Sequence, residues 1–196
     1  MLRATSVADD LGIVALADIA RLAGPDGDMA HRVIGGHMVT ALVTRWRLGD
    51  DLRRDTNDVD LGVPPVVMRD ADLVPRLLAI GYQPTAGNRF VRTITDLPVR
   101  VAGEPAPNGR AVIDILVPSY TSRARRDRRV NEHLVTTEVP GLATALRRPP
   151  IAMSLELHRL NDEVFDVALT TIGWLGARRQ MDTVDHADRP APTGGR

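Results

Sequence analysis

The chain has 196 residues, 25 of them basic and 25 acidic, and no formal net charge at pH 7, so its overall charge does not advertise a nucleic-acid partner. It has no cysteine, which excludes disulfides, thiolate zinc sites and a cysteine nucleophile. All 25 basic residues are arginine, a bias that GC-rich codon usage explains without any function, and the absence of lysine removes one kind of catalytic group.

The opening MLRATSVADD carries acids and no apolar stretch, so no signal peptide is expected. No apolar run approaches the roughly 18 residues of a spanning helix. Together these predict a soluble, cytoplasmic protein with no membrane partner. Its length predicts one domain with a small appendage: a core over 1–148, a β-hairpin over 149–176 appended to it, and a disordered tail over 177–196 that is poor in large apolar residues.

Ser6 to Ala23 reads as a helix, with Leu11, Val14, Ile19 and Leu22 near helical spacing and Gly24-Pro25 at its end. His31 to Ile34 reads as a short strand running into Gly35-Gly36. Met38 to Leu48 follows as a second helix, with Val39, Leu42, Val43 and Trp46 on one face. Asp58 to Val63 alternates strictly and stops at Pro64-Pro65, the pattern of a strand. Asp70 is placed to cap a third helix through Ile80, closed by Gly81. Strands are expected at Arg89–Ile94, Val99–Ala102 and Ala111–Val117. Arg123 to Arg129 reads as a basic helix or loop, and Gly141 to Arg148 as a short helix. Ile151–Leu157 and Val164–Ile172 read as a hairpin across Asn161-Asp162. Helices and strands mix without regular βαβ alternation, which predicts an α+β fold with a mixed β-sheet flanked by helices.

Three features carry chemistry. Gly35-Gly36 lies between a strand and a helix, where glycine lets the backbone approach a phosphate and the helix start offers free N–H groups. A tight turn needs the same residues. In Asp58-Val59-Asp60, the strand period of two puts both carboxylates on one face, opposite Val59, Leu61 and Val63. Two carboxylates about 4 Å apart repel by about 4 kcal/mol at an effective dielectric of 20, a cost that a bound cation reverses. Oxygen ligands without nearby His or Cys suit magnesium, which sits between carboxylates and substrate phosphates. Roughly two Asp-x-Asp patterns are expected by chance. Of the three present, Asp26/Asp28 lies in a turn and Asp70/Asp72 opens a helix; only Asp58/Asp60 falls on a strand with an apolar opposite face. Finally, Asp114 sits within the apolar run Ala111–Val117, where an acid needs a partner. Arg92 or Arg100 on an adjacent strand would satisfy it structurally; a third metal ligand or general base is the functional reading.

Gly35-Gly36, the run from Arg54 through Thr56, Asp58 and Asp60 to Leu61, and the lone strand Asp114 together resemble the polymerase-β-type nucleotidyltransferase superfamily. The Arg-x-Thr-x-Asp-x-Asp form is similar to its AbiEii-like branch, which includes MenT-type toxins of actinobacterial toxin–antitoxin systems. Asn88–Arg92 and Pro140–Leu146 look familial as well. The resemblance implies a nucleotidyltransferase fold over the core and a role for each residue. Gly35 and Gly36 would cradle the phosphates of an NTP, with Arg54 and Thr56 supporting the metal strand or touching phosphate. Asp58, Asp60 and Asp114 would be the catalytic residues and Mg2+ ligands, Asp114 helping to activate the attacking hydroxyl. It implies a toxin that adds a nucleoside monophosphate to the 3′ acceptor end of tRNA, and a cognate antitoxin protein. Many chains of that branch carry a lysine and a later acidic motif in a C-terminal helical domain; this chain has no lysine.

Arg123, Arg125, Arg126, Arg128 and Arg129 follow soon after Asp114 and are candidates to grip tRNA phosphates, the alternative being a solvated face with Asp127 and Glu132 as partners. With six aromatic residues in all, a base-stacking platform is not expected. The five histidines show no zinc spacing; His37 follows the glycines within reach of a phosphate, but the expectation is a solvent-exposed histidine at the helix start. Other readings are transfer to a protein or to a small molecule such as an aminoglycoside, and a degenerate nucleotide- or RNA-binding protein.

Overall fold

A computed structural model describes residues 1–23, 31–54, 56–64, 73–95, 97, 109–130 and 134–172. Strand β1 (Leu2–Arg3) leads into helix α1 (Val7–Ala23), then β2 (Arg32–Ile34), α2 (Gly35–Trp46), β3 (Asp58–Gly62) and α3 (Leu73–Ala79). Strands β4 (Gln83–Ala86), β5 (Arg89–Ile94), β6 (Gly109–Ser119), β7 (Arg125–Arg129) and β8 (Val135–Pro140) follow. Helix α4 (Leu142–Arg147) and the hairpin β9 (Pro150–His158) and β10 (Val164–Ile172) complete the order. The fold is α+β with a mixed sheet, as the mixing of helices and strands without regular βαβ alternation predicts. No helix among the described residues is long and apolar enough to cross a membrane.

The strands form one sheet in the order β1-β9-β10-β2-β3-β6-β5-β4, with β8 and β7 branching from β6. The branch exists because β6 is long. Residues from Asp114 back to Gly109 pair with β5, and those from Leu116 onward pair with β8. The hairpin pairs through β10 with β2 and through β9 with β1, so it extends this same sheet.

Helix α1 starts at a reciprocal cap. Ser6 Oγ accepts the Asp9 N–H at 3.1 Å, and the Asp9 carboxylate accepts from Thr5 N–H at 3.1 Å and Thr5 Oγ1 at 2.6 Å. Ile13, Ala15, Leu16 and Ile19 are fully buried against the sheet, where they meet Val59, Leu61, Phe90, Ile113 and Ile115. Burial of each Leu, Ile or Phe contributes about 1.5–3 kcal/mol. Leu155 and Leu157 of β9 and Leu169 of β10 belong to the same core.

Two ionic clusters tie α1 to the strands. Asp10 and Arg159 form a pair at 2.9 Å whose side chains are 0% and 2% exposed; Leu160 N–H also donates to Asp10 at 2.8 Å, and Glu163 takes another Arg159 N–H at 2.8 Å. Asp18 accepts from Arg92 at 2.5 Å and from the Tyr82 hydroxyl at 2.9 Å, and the Arg92 guanidinium lies over the Tyr82 ring. Burial, and then the charge of Asp18, push the Tyr82 hydroxyl well above its ordinary pKa.

Several expectations need correction. Helix α2 begins at Gly35 rather than Met38, because β2 passes into it without a loop. Arg125–Arg129 is a strand, not a helix or loop: it pairs antiparallel with β8. Strands β1, β4 and β8 carry no strong sequence signal, β4 being wholly exposed and containing Pro84. The helix cap at Asp70, the strand at Val99–Ala102 and the tail over 177–196 lie outside the described residues.

Candidate active site

The acid face of the sheet is built by register. Strand β3 pairs parallel with β6 so that Asp60 lies beside Asp114, and Asp58 beside Val112. Strand β5 pairs antiparallel on the other side of β6, placing Arg89 beside Asp114. Asp60, Asp114 and Arg89 therefore form one row across three adjacent strands, about 4.8 Å apart from strand to strand. Asp58 stands two residues before Asp60 on the same face. The opposite face carries Val59, Leu61, Ile113 and Ile115, all fully buried, so the acids cannot turn inward.

Arg89 was not among the partners expected for Asp114. Its Nε donates to Asp114 Oδ1 at 2.9 Å and its Nη2 to Asp114 Oδ2 at 2.6 Å. The same Nη2 reaches Asp58 Oδ2 at 3.3 Å. Arg92 cannot serve: three residues along the strand, it faces the other side and pairs with Asp18. Arg100 lies outside the described residues. The hydrogen bond to Asp114 is the largest influence holding the Arg89 guanidinium protonated. Only the register of β5 against β6 pairs this arginine with Asp114; a linear reading of Asn88–Arg92 does not.

One guanidinium does not balance three carboxylates. Burial, then the charges of Asp58 and Asp114, push the Asp60 carboxyl up to about 6, with Arg89 opposing them. Thr56 donates its hydroxyl to the Asp58 carboxylate and so fixes its orientation. Arg54 is exposed, and its backbone N–H and C=O both bond the Thr40 hydroxyl at 3.1 Å, which anchors the connection from α2 to β3.

Gly35-Gly36 meets this row directly, since Ile34 pairs with Asp60. Gly35 has φ of 67°, and a Cβ there would collide with Asp60 Oδ2. A Cβ on Gly36 would lie 2.7 Å from Thr56 Cγ2. Both glycines are thus required by close approach. The first turn of α2 has no acidic residue and no side-chain cap, so its N-terminal dipole is not answered by a carboxylate of its own. His37 departs from expectation. It is 3% exposed and packs toward Gly12 of α1, away from the acids.

The arginine segment is separate from the row. Arg125 pairs in register with Glu138, which pairs with Val117, three residues beyond Asp114. Strand spacing puts it about 14 Å from Asp114. Arg123 and Arg129 are exposed, whereas Arg128 is bound to buried Glu138; Glu132 and the side chain of Asp127 lie outside what is described. The side chains of Arg125 and Arg126 lie outside what is described.

Among the described residues no group of three or more His, Cys, Asp or Glu stands ready as a metal-ligand set, and Arg89 lies among Asp58, Asp60 and Asp114. The donors nevertheless suit a hard cation. They are carboxylate oxygens on adjacent strands, three of them facing one guanidinium. No family model matches the chain, and no curated protein or solved structure matches it.

Proposed function

We propose that the chain is a magnesium-dependent nucleotidyltransferase of nucleotidyltransferase fold. In this reading it transfers a nucleoside monophosphate from an NTP to the 3′ end of tRNA and acts as the toxin partner of an antitoxin protein. The observation that carries the transfer chemistry is the row of Asp60 beside Asp114, with Asp58 on the same face, set against the uncapped glycine start of α2. Carboxylates and free helix-start N–H groups at one spot suit a substrate that brings phosphate and a divalent cation together. The resemblance of the sequence motifs supplies the acceptor and the biological role.

In this reading Asp58, Asp60 and Asp114 hold magnesium, which when bound supplies neutralisation of the charge developing on the transferring phosphoryl oxygens. Thr56 keeps Asp58 turned toward the site. The Gly35 and Gly36 N–H groups bind and orient the phosphates. Asp114 accepts the proton of the attacking 3′-hydroxyl, in line with a leaving pyrophosphate. Arg123, Arg125, Arg126 and Arg129 steer the RNA through its phosphates, and Arg54, exposed beside the glycines, is available to the triphosphate.

The test is transfer of label from each α-³²P-NTP to tRNA with magnesium. Wild-type protein is expected to label RNA, and D58A to lose that transfer while remaining folded. Transfer that survives in folded D58A would sink the metal assignment. A second reading, with a protein or small molecule as acceptor, is favoured by the engagement of Arg128 with Glu138, which removes one cation from an RNA-facing surface. Label in a protein lysate or an aminoglycoside, and none in tRNA, would select it.

A further inference from the structure

We propose that Arg89 is an exchangeable internal counter-ion that couples cation binding to nucleotide binding at the acid row. This rests on the function proposed above. Arg89 differs from the arginines of the two ionic clusters at α1. Arg159 is 2% exposed, shares its acid with a backbone N–H and has a second carboxylate; Arg92 is fixed over an aromatic ring. The Arg89 side chain is 45% exposed, and its Nη2 is divided between Asp114 at 2.6 Å and Asp58 at 3.3 Å. It is a rim cation lying across the space between acids that a metal would use.

Its backbone, in contrast, is pinned. Arg89 pairs with Asp114, and the preceding Asn88 carbonyl accepts the Ile115 N–H at 2.9 Å. Release therefore needs only side-chain torsions. A divalent ion arriving alone must displace the guanidinium and leave it close by as a like charge. An ion arriving with a triphosphate also brings oxygens that take the guanidinium up, in the bidentate manner for which it is shaped. Each ligand then strengthens the other by the same factor. Three carboxylates on this face meet one guanidinium, and that excess keeps the row receptive to a second cation despite Arg89.

The experiment titrates Mn2+ into the whole protein by calorimetry, alone and with each of the four α,β-methylene NTPs, using wild type, R89Q, R89K and D58N. Melting curves confirm that each variant is folded. R89Q is expected to bind Mn2+ alone about tenfold tighter than wild type and the Mn2+–nucleotide complex about tenfold weaker, so that coupling within the usual range of about 5-fold to 150-fold disappears. R89K, which keeps the charge but cannot span Asp114 and Asp58 together, should fall between, and it carries the test if R89Q does not fold. Unchanged Mn2+ affinity in R89Q or R89K, with Mn2+ binding still lost in D58N, would overturn the role of Arg89 alone. Mn2+ binding that D58N leaves intact, or no binding by any form, would overturn the metal site itself.

Discussion

Burial and the charges of Asp58 and Asp114 lift the Asp60 carboxyl from 3.8 to about 6. The unfolded chain releases this proton near pH 3.8 and the folded chain only near 6, so between those values the folded state holds more protons. Its stability, without metal, therefore falls as pH rises through that window and stays low above it. D60N should remove this slope and melt higher than wild type at pH 7.5. Magnesium should raise the wild-type melting temperature more at pH 7.5 than at pH 5, because the cation meets an ionised Asp60 only at the higher pH. Equal magnesium effects at both values would show that Asp60 is not a ligand. Asp58, Asp60 and Asp114 could be selected from sequence because strand parity and an apolar opposite face are local properties. Arg89 could not be assigned its partner that way, since Asp114 is 25 residues distant and only register brings the two together.

At the scale of elements, the sequence carried α1, β3 and the β9–β10 hairpin well, because helical spacing, strict alternation and a turn at Asn161-Asp162 each act over a few residues. The arginine segment was misread because five arginines leave no apolar alternation to reveal a strand. It is held as one by pairing with β8 and by the engagement of Arg128 with buried Glu138. Charged side chains also suit it to its position, since among the described residues β7 pairs with β8 alone and a charged edge discourages further pairing. If this strand also steers tRNA, replacing Arg125, Arg126 and Arg129 together by Gln should flatten the salt dependence of tRNA binding by about two to three log–log units, at roughly 0.7–0.9 per phosphate contact. Arg128 is left in place because its loss would strand Glu138. Filter binding across a salt series reads the slope. A slope unchanged from wild type would reduce the segment to solvated surface.

The whole molecule depends on joining segments from opposite ends of the sequence, and this was the least legible feature. The hairpin is evident in the sequence, but its place between β1 and β2 is not, because Leu2 pairs with Leu157 and Val33 with Thr171, each pair far apart in sequence. The buried Asp10–Arg159 pair fastens this closure to the start of α1. R159A should cost about 3–5 kcal/mol in urea unfolding, since it leaves Asp10 buried without its partner, whereas an apolar replacement of both residues should be close to neutral. A loss under 1 kcal/mol in R159A would mean that water or another cation replaces the guanidinium. A crystal structure with Mn2+ and an α,β-methylene NTP, read through the anomalous signal of manganese, shows whether the acid row is a metal-dependent nucleotide site. The expected map has a manganese peak among Asp58, Asp60 and Asp114, phosphates at Gly35-Gly36, and Arg89 released from Asp114 onto the triphosphate. Crystals grown with saturating ligands that hold no manganese at the row, with Arg89 still bridging Asp114 and Asp58, would contradict it.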